Sequence, residues 1–199
     1  MVACGAWRMV VLSLTGNEQG PQMQTKDDHS LNPFCRAAAY HEAGHAIAAV
    51  LIGNFDISAK LDHRDICIGN VSSLGPANPD PSTEVGRMQL VQLIFQAFAG
   101  HAAEIIFWRD EVDQPVGISN WQGDLNSAYE AASSLAGPTL PIDDILSKMM
   151  AYTTDTLKLP HMDAALRRIS TQLLSVMFLR DDEIRSLCGQ LPRPIFPII

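Results

Sequence analysis

His41, Glu42 and His45 form a strict H-E-x-x-H within AAAYHEAGHAIAAVLIG, residues 37–53. On a helix, residues four apart lie one above the other, so the two imidazoles can aim nitrogens at one point. Glu42 sits one position round, within reach of a water held at that point. Two neutral imidazoles to hold Zn²⁺ and a carboxylate to take a proton from its water are what metal-assisted hydrolysis needs. Two histidines on an apolar face can instead be hydrogen-bonded core residues. Burying two His and a Glu side by side without an ion leaves several polar groups to satisfy, which favours the metal reading.

Such a pair needs a helix under it, and the flanks supply the signals for one. Asn32 is a good N-cap, Pro33 suits the first helical position, and Gly53 is a good C-terminal stop. Residues 15–32 are polar with Gly and Pro; the apolar residues 1–14 are too short to span a bilayer and lack the basic start of a signal peptide. Residues 1–32 therefore read as an extension and linker. Beyond the motif, Ile57, Ala59 and Leu61 alternate with polar residues, and so do Ile66 and Ile68, which predicts a small hairpin. Pro81-Ser82-Thr83-Glu84 opens a helical pattern to about Trp108, with Leu90, Leu93, Ile94, Ala97, Phe98, Ala102, Ile105 and Ile106 as its core-facing residues. After a loop, a shorter helix is expected from Asp124, as its N-cap, to Gly137. Amphipathic helices follow over 140–159 and 162–179, and a short one capped by Asp181 ends before Gly189. The fold class expected is mainly α, residues 33–190, with a small β element beside the motif helix and an extended Pro-rich tail at 191–199.

Composition narrows the function classes. Apolar residues make up 47% and charged ones 18% of 199 residues, as in a folded globular domain. A formal charge of −8 without a Lys/Arg cluster argues against nucleic acid or an anionic membrane as the main partner. Four cysteines without a C-x-x-C indicate neither a disulfide framework nor a cysteine-ligated metal, and fit a reducing, cytoplasmic setting. No G-x-x-x-x-G-K-[ST] and no run of about twenty apolar residues occurs, so neither an ATP phosphate loop nor a membrane anchor is expected.

A catalytic zinc needs a third protein ligand and one open position. A further His six residues after His45 is excluded, because residue 51 is Leu. Asp62, Asp65, Glu104 and Asp124 remain. Glu104 falls among Ala and Ile on a buried-looking helix, where a carboxylate needs a partner such as a metal or a ligating His. Asp124 is equally well explained as a helix cap, worth about 1 kcal/mol. Residue types alone leave the choice between these two open.

Four blocks in order, AYHEAGHAIAAVLIG, AGHAAEIIF, GISN–DLNSAYEAA and ALRRISTQLLSVMFLRDDEI, resemble the peptidase domain of the FtsH-type ATP-dependent zinc proteases over roughly residues 35–190. The resemblance implies zinc on His41, His45 and Asp124, with Glu42 as base and Glu104 supporting a zinc-binding His. It implies a helical zinc-peptidase fold that hydrolyses peptide bonds in unfolded proteins or peptides. A separate ATPase or unfoldase is then a possible partner, and the number of subunits is left open. Two features depart from the family: His101 stands where Arg is usual, and Trp121-Gln122-Gly123 are inserted just before Asp124. A zinc-binding adaptor or regulator that no longer cleaves is the alternative; the intact Glu42 argues against it.

Overall fold

The structure, a computed structural model, describes residues 32–62, 68–75, 78–112 and 121–198. The expected N-terminal extension, the hairpin turn and the Gly-x-Ser-Asn turn lie outside these residues, apart from Asn32.

Asn32 starts the first helix, α1 (Pro33–Ile52), its side chain accepting the Phe34 N–H at 2.9 Å, and Gly53 ends it in the left-handed region at φ 84°. All three flanking signals act as the sequence predicts. Small residues dominate α1, and this lets neighbours approach on most sides. It packs against α2 (Glu84–Phe107), α5 (Pro160–Val176) and the strands β1 (Phe55–Asp62) and β2 (Ile68–Leu74). The closest approach is to α2: a Cβ at Gly44 would overlap the Ala99 carbonyl and lie 2.8 Å from the Ala103 Cβ. Gly44 thus replaces helix propensity, worth about 1 kcal/mol relative to Ala, with tight helix packing.

Thr83 caps α2, its hydroxyl accepting the Gly86 N–H at 3.0 Å, and a π-helical turn at Trp108–Val112 continues it. With that turn the helix spans Glu84–Asp110, and its most apolar window, of mean hydropathy 1.5, is long and apolar enough to cross a membrane by length and composition alone. In the fold it is a core helix: 72% of its most apolar window is buried, including Ile94, Phe95, Phe98, Ile106 and Phe107. The remaining helices are α3 (Gln122–Leu135), α4 (Ile142–Leu157) and α6 (Asp181–Cys188). α3 and α4 pack on α2; α5 closes the far side of α1 with Leu166, Ile169 and Leu173 fully buried.

The expected hairpin forms, and a short strand, β3 (Phe178–Leu179), completes an antiparallel sheet of order β2-β1-β3. Helix α5 was expected to continue through this strand. It stops at Val176 because Met177 turns left-handed at φ 66° and its carbonyl accepts the Leu61 N–H at 2.9 Å, pairing the chain with β1. Two other helix starts move. α3 begins at Gln122 rather than at Asp124, and Arg180 rather than Asp181 is the N-cap of α6, with Glu183 accepting its N–H at 2.9 Å. The tail has no regular structure, but Phe196 packs edge-on against Phe95 at 5.3 Å. Cys35 is disulfide-bonded, and Cys188 is a buried free thiol whose pKa is pushed up to about 11 by burial.

Candidate metal centre

The two imidazoles project from consecutive turns of α1, and the first turn of α3 brings Asp124 to them. His41 Nε2 lies 3.1 Å from His45 Nε2 and 3.2 Å from Asp124 Oδ2; His45 Nε2 lies 3.3 Å from that oxygen. Among the described residues, these three side chains form the group whose ligand atoms converge within 4.8 Å. A tetrahedral ion with bonds of about 2.0–2.1 Å has ligand–ligand edges of about 3.3–3.4 Å. The observed triangle is within about 0.3 Å of that figure on each side, so two imidazole nitrogens and one carboxylate oxygen fit a Zn²⁺ with the fourth position open.

Because the N-cap of α3 falls at Trp121, three residues before the expected Asp124, Asp124 is the third residue of the helix and does not cap it. Its carboxylate is thereby free to face the imidazoles. Burial raises its pKa, but the hydrogen bonds and charges of His41 and His45 outweigh this and hold Asp124 below the usual carboxylate range. His41 shows the complementary effect. Burial disfavours its charge, yet the bond to Asp124 and the nearby Glu104 raise its pKa to about 9.

Each imidazole is oriented from behind. His45 Nδ1 is 2.8 Å from the Gln96 carbonyl of α2, which makes it the donor and leaves Nε2 to face the centre. His41 Nδ1 is 3.5 Å from Glu104 Oε2, an ion-pair distance without hydrogen-bond alignment. Glu104 is 2% exposed, and its other oxygen accepts the Trp108 indole N–H at 3.3 Å, so the π-helical turn fixes the carboxylate that faces His41. Asp124 thus faces the Nε2 side of the two imidazoles, and Glu104 the Nδ1 side of His41. Asp62 ends β1 outside the group, and Asp65 lies outside the described residues.

Glu42 is 5% exposed, and burial raises its pKa against the opposing pull of His45 and His41. Its carboxylate lies against Gly69 of β2, where any Cβ would overlap it. Gly100 of α2 performs the same service for the imidazoles: a Cβ there would overlap His45 Nε2 and lie 2.7 Å from His41 Nε2. These two glycines, Gln96 and Trp108 were not singled out from the sequence. Their spacing carries no motif, because each acts across a helix or strand contact that only the fold creates.

The centre opens into a cleft of about 1140 Å³ between α1, β2, α2 and α3. Gly69, Asn70 and Val71 of β2 form one wall, and among the described residues β2 is an edge strand with one side unpaired in the sheet. Leu90, Leu93 and Ala97 make an apolar floor, and Ser127, Glu130 and Ser134 a polar wall on α3. His101 does not join the metal group; its ring stacks on Trp121. Compared with known proteins, the sequence matches no family model and no curated protein.

Proposed function

We propose that this chain is a zinc-dependent metallopeptidase that cleaves peptide bonds in unfolded proteins or peptides, of the type the sequence blocks resemble. The observation that carries the reading is the convergence of His41, His45 and Asp124 beside a buried carboxylate, at the bottom of an open cleft. Zinc bound there would supply a Lewis acid for the scissile carbonyl and lower the pKa of a water toward about 7. His41, His45 and Asp124 would hold the ion, with Gln96 and Glu104 fixing the two rings. Glu42, whose pKa burial raises, would take the proton of the attacking water and deliver it to the leaving amine. The unpaired side of β2 can accept an extended backbone through main-chain hydrogen bonds, and the apolar floor can take side chains. An unfolded segment meets both requirements, whereas a folded domain would not enter the cleft. A separate unfoldase would supply such segments.

Hydrolysis of casein by the zinc-loaded chain tests this. The wild type should cleave, a chelator should stop it, and Glu42→Gln should lower the rate by about 10²–10⁴-fold with zinc still bound. A wild type that holds zinc and cleaves nothing would instead be the zinc-binding adaptor.

A further inference from the structure

The two departures from the resembled family meet in space. His101 of α2 and Trp121, which precedes α3, stack face to face, with centroids 4.2 Å apart and planes 4° from parallel. We propose that this pair is a positioning clamp that sets the distance of Asp124 from His41 and His45, and so completes the metal centre. The proposal rests on the metal reading above.

Among the described residues no side chain caps the first turn of α3, and the Trp121 carbonyl accepts the Leu125 N–H at 3.0 Å as its opening bond. Gly123 is its second residue, the one before Asp124, and nothing among the described residues lies within 4 Å of where its Cβ would be. A turn that starts uncapped and contains Gly frays readily. Yet Asp124 must stay within about 0.2 Å of its place to ligate an ion well. Trp121 is three residues before Asp124, so both side chains leave the turn on the side that faces α2.

On α2 the complementary residues are contiguous. Gly100 leaves room for the two imidazoles, His101 meets Trp121, and Glu104, one turn on, faces His41. A flat stack fixes separation and tilt between two surfaces and leaves sliding free. Separation of α3 from α2 is the coordinate that places Asp124 Oδ2 against the imidazoles. Among the described residues the buried His101 Nδ1 has no hydrogen-bond partner, and the ring's contact is the stack on Trp121. The inserted Trp121-Gln122-Gly123 then does not displace the third ligand; it supplies the first turn that carries it.

The test is a double-mutant cycle on zinc affinity, measured by chelator competition, with the visible spectrum of the Co²⁺-loaded chain as a second readout of ligand geometry. Trp121→Ala should weaken zinc binding about 10–100-fold, the usual effect of removing a group that orients a ligand, and should alter the Co²⁺ spectrum. Trp121→Phe should restore most of both. In an Asp124→Ala background, Trp121→Ala should change affinity by less than about twofold, since nothing is left to position. Unchanged affinity in Trp121→Ala, or an equal loss with and without Asp124, overturns the clamp while leaving the metal centre standing. Should Trp121→Ala fail to fold, His101→Ala and Trp121→Phe provide the same comparison. A wild type that binds no zinc overturns both readings together.

Discussion

Gly100→Ala separates the metal centre from the fold that carries it. An Ala in a helix interior is usually favoured over Gly by about 0.5–1 kcal/mol. Here the new methyl would overlap His45 Nε2 and lie 2.7 Å from His41 Nε2 and 2.8 Å from His41 Cδ2. Non-bonded carbon contacts settle near about 3.5–4.0 Å, so the rings would have to retreat by roughly 1 Å. In the metal-free chain they can do so, because both side chains are partly exposed and the cleft beside them is open. Around an ion they cannot, because ligand distances tolerate only about ±0.2 Å. Zinc affinity should therefore fall by at least about 100-fold, while the unfolding free energy of the metal-free chain changes by less than about 1 kcal/mol. Chelator competition and urea unfolding, both followed with and without zinc, measure the two quantities. A Gly100→Ala chain that binds zinc like the wild type would refute the placement of the ion between the two Nε2 atoms.

Three further outcomes are expected. Gly69→Ala should displace the Glu42 carboxylate, lowering peptide hydrolysis by at least tenfold with zinc content unchanged by metal analysis. Gly44→Ala should separate α1 from α2 and cost about 1–3 kcal/mol in urea unfolding, the range of overpacked cores. Zinc must displace the proton of His41, whose pKa is raised from 6.5 to about 9, so zinc affinity should rise about tenfold per pH unit between pH 7 and 9 and level off above. The sign for folding is opposite. A raised His pKa stabilises the metal-free chain fully below 6.5, and that contribution is lost as pH rises through 9, which unfolding at a series of pH values will show.

The parts of the molecule legible in the sequence are those encoded locally. Asn32, Pro33 and Gly53 bound α1, Thr83 opens α2, and Ile57, Ala59 and Leu61 mark β1 because their signals act within a few residues. His41 and His45 were legible for the same reason, since helical spacing alone aligns them. Asp124 was not decided by residue type, as a carboxylate near a helix start reads equally as a cap. The end of α5 was missed because Met177 adopts a left-handed turn without the usual Gly, held by pairing with a strand more than a hundred residues earlier. Gly69, Gly100, Trp108 and the His101–Trp121 stack were hidden for that reason too: each acts through a long-range contact, or through a turn geometry, that no local pattern records.

X-ray absorption at the zinc edge of the loaded chain tests the central claim most directly. The expected result is one zinc per chain with four nitrogen or oxygen donors at about 2.0–2.1 Å, outer-shell scattering from two imidazoles, and one imidazole fewer in His41→Ala. No stoichiometric zinc, a sulfur donor near 2.3 Å, or a spectrum unchanged in Asp124→Ala would contradict it.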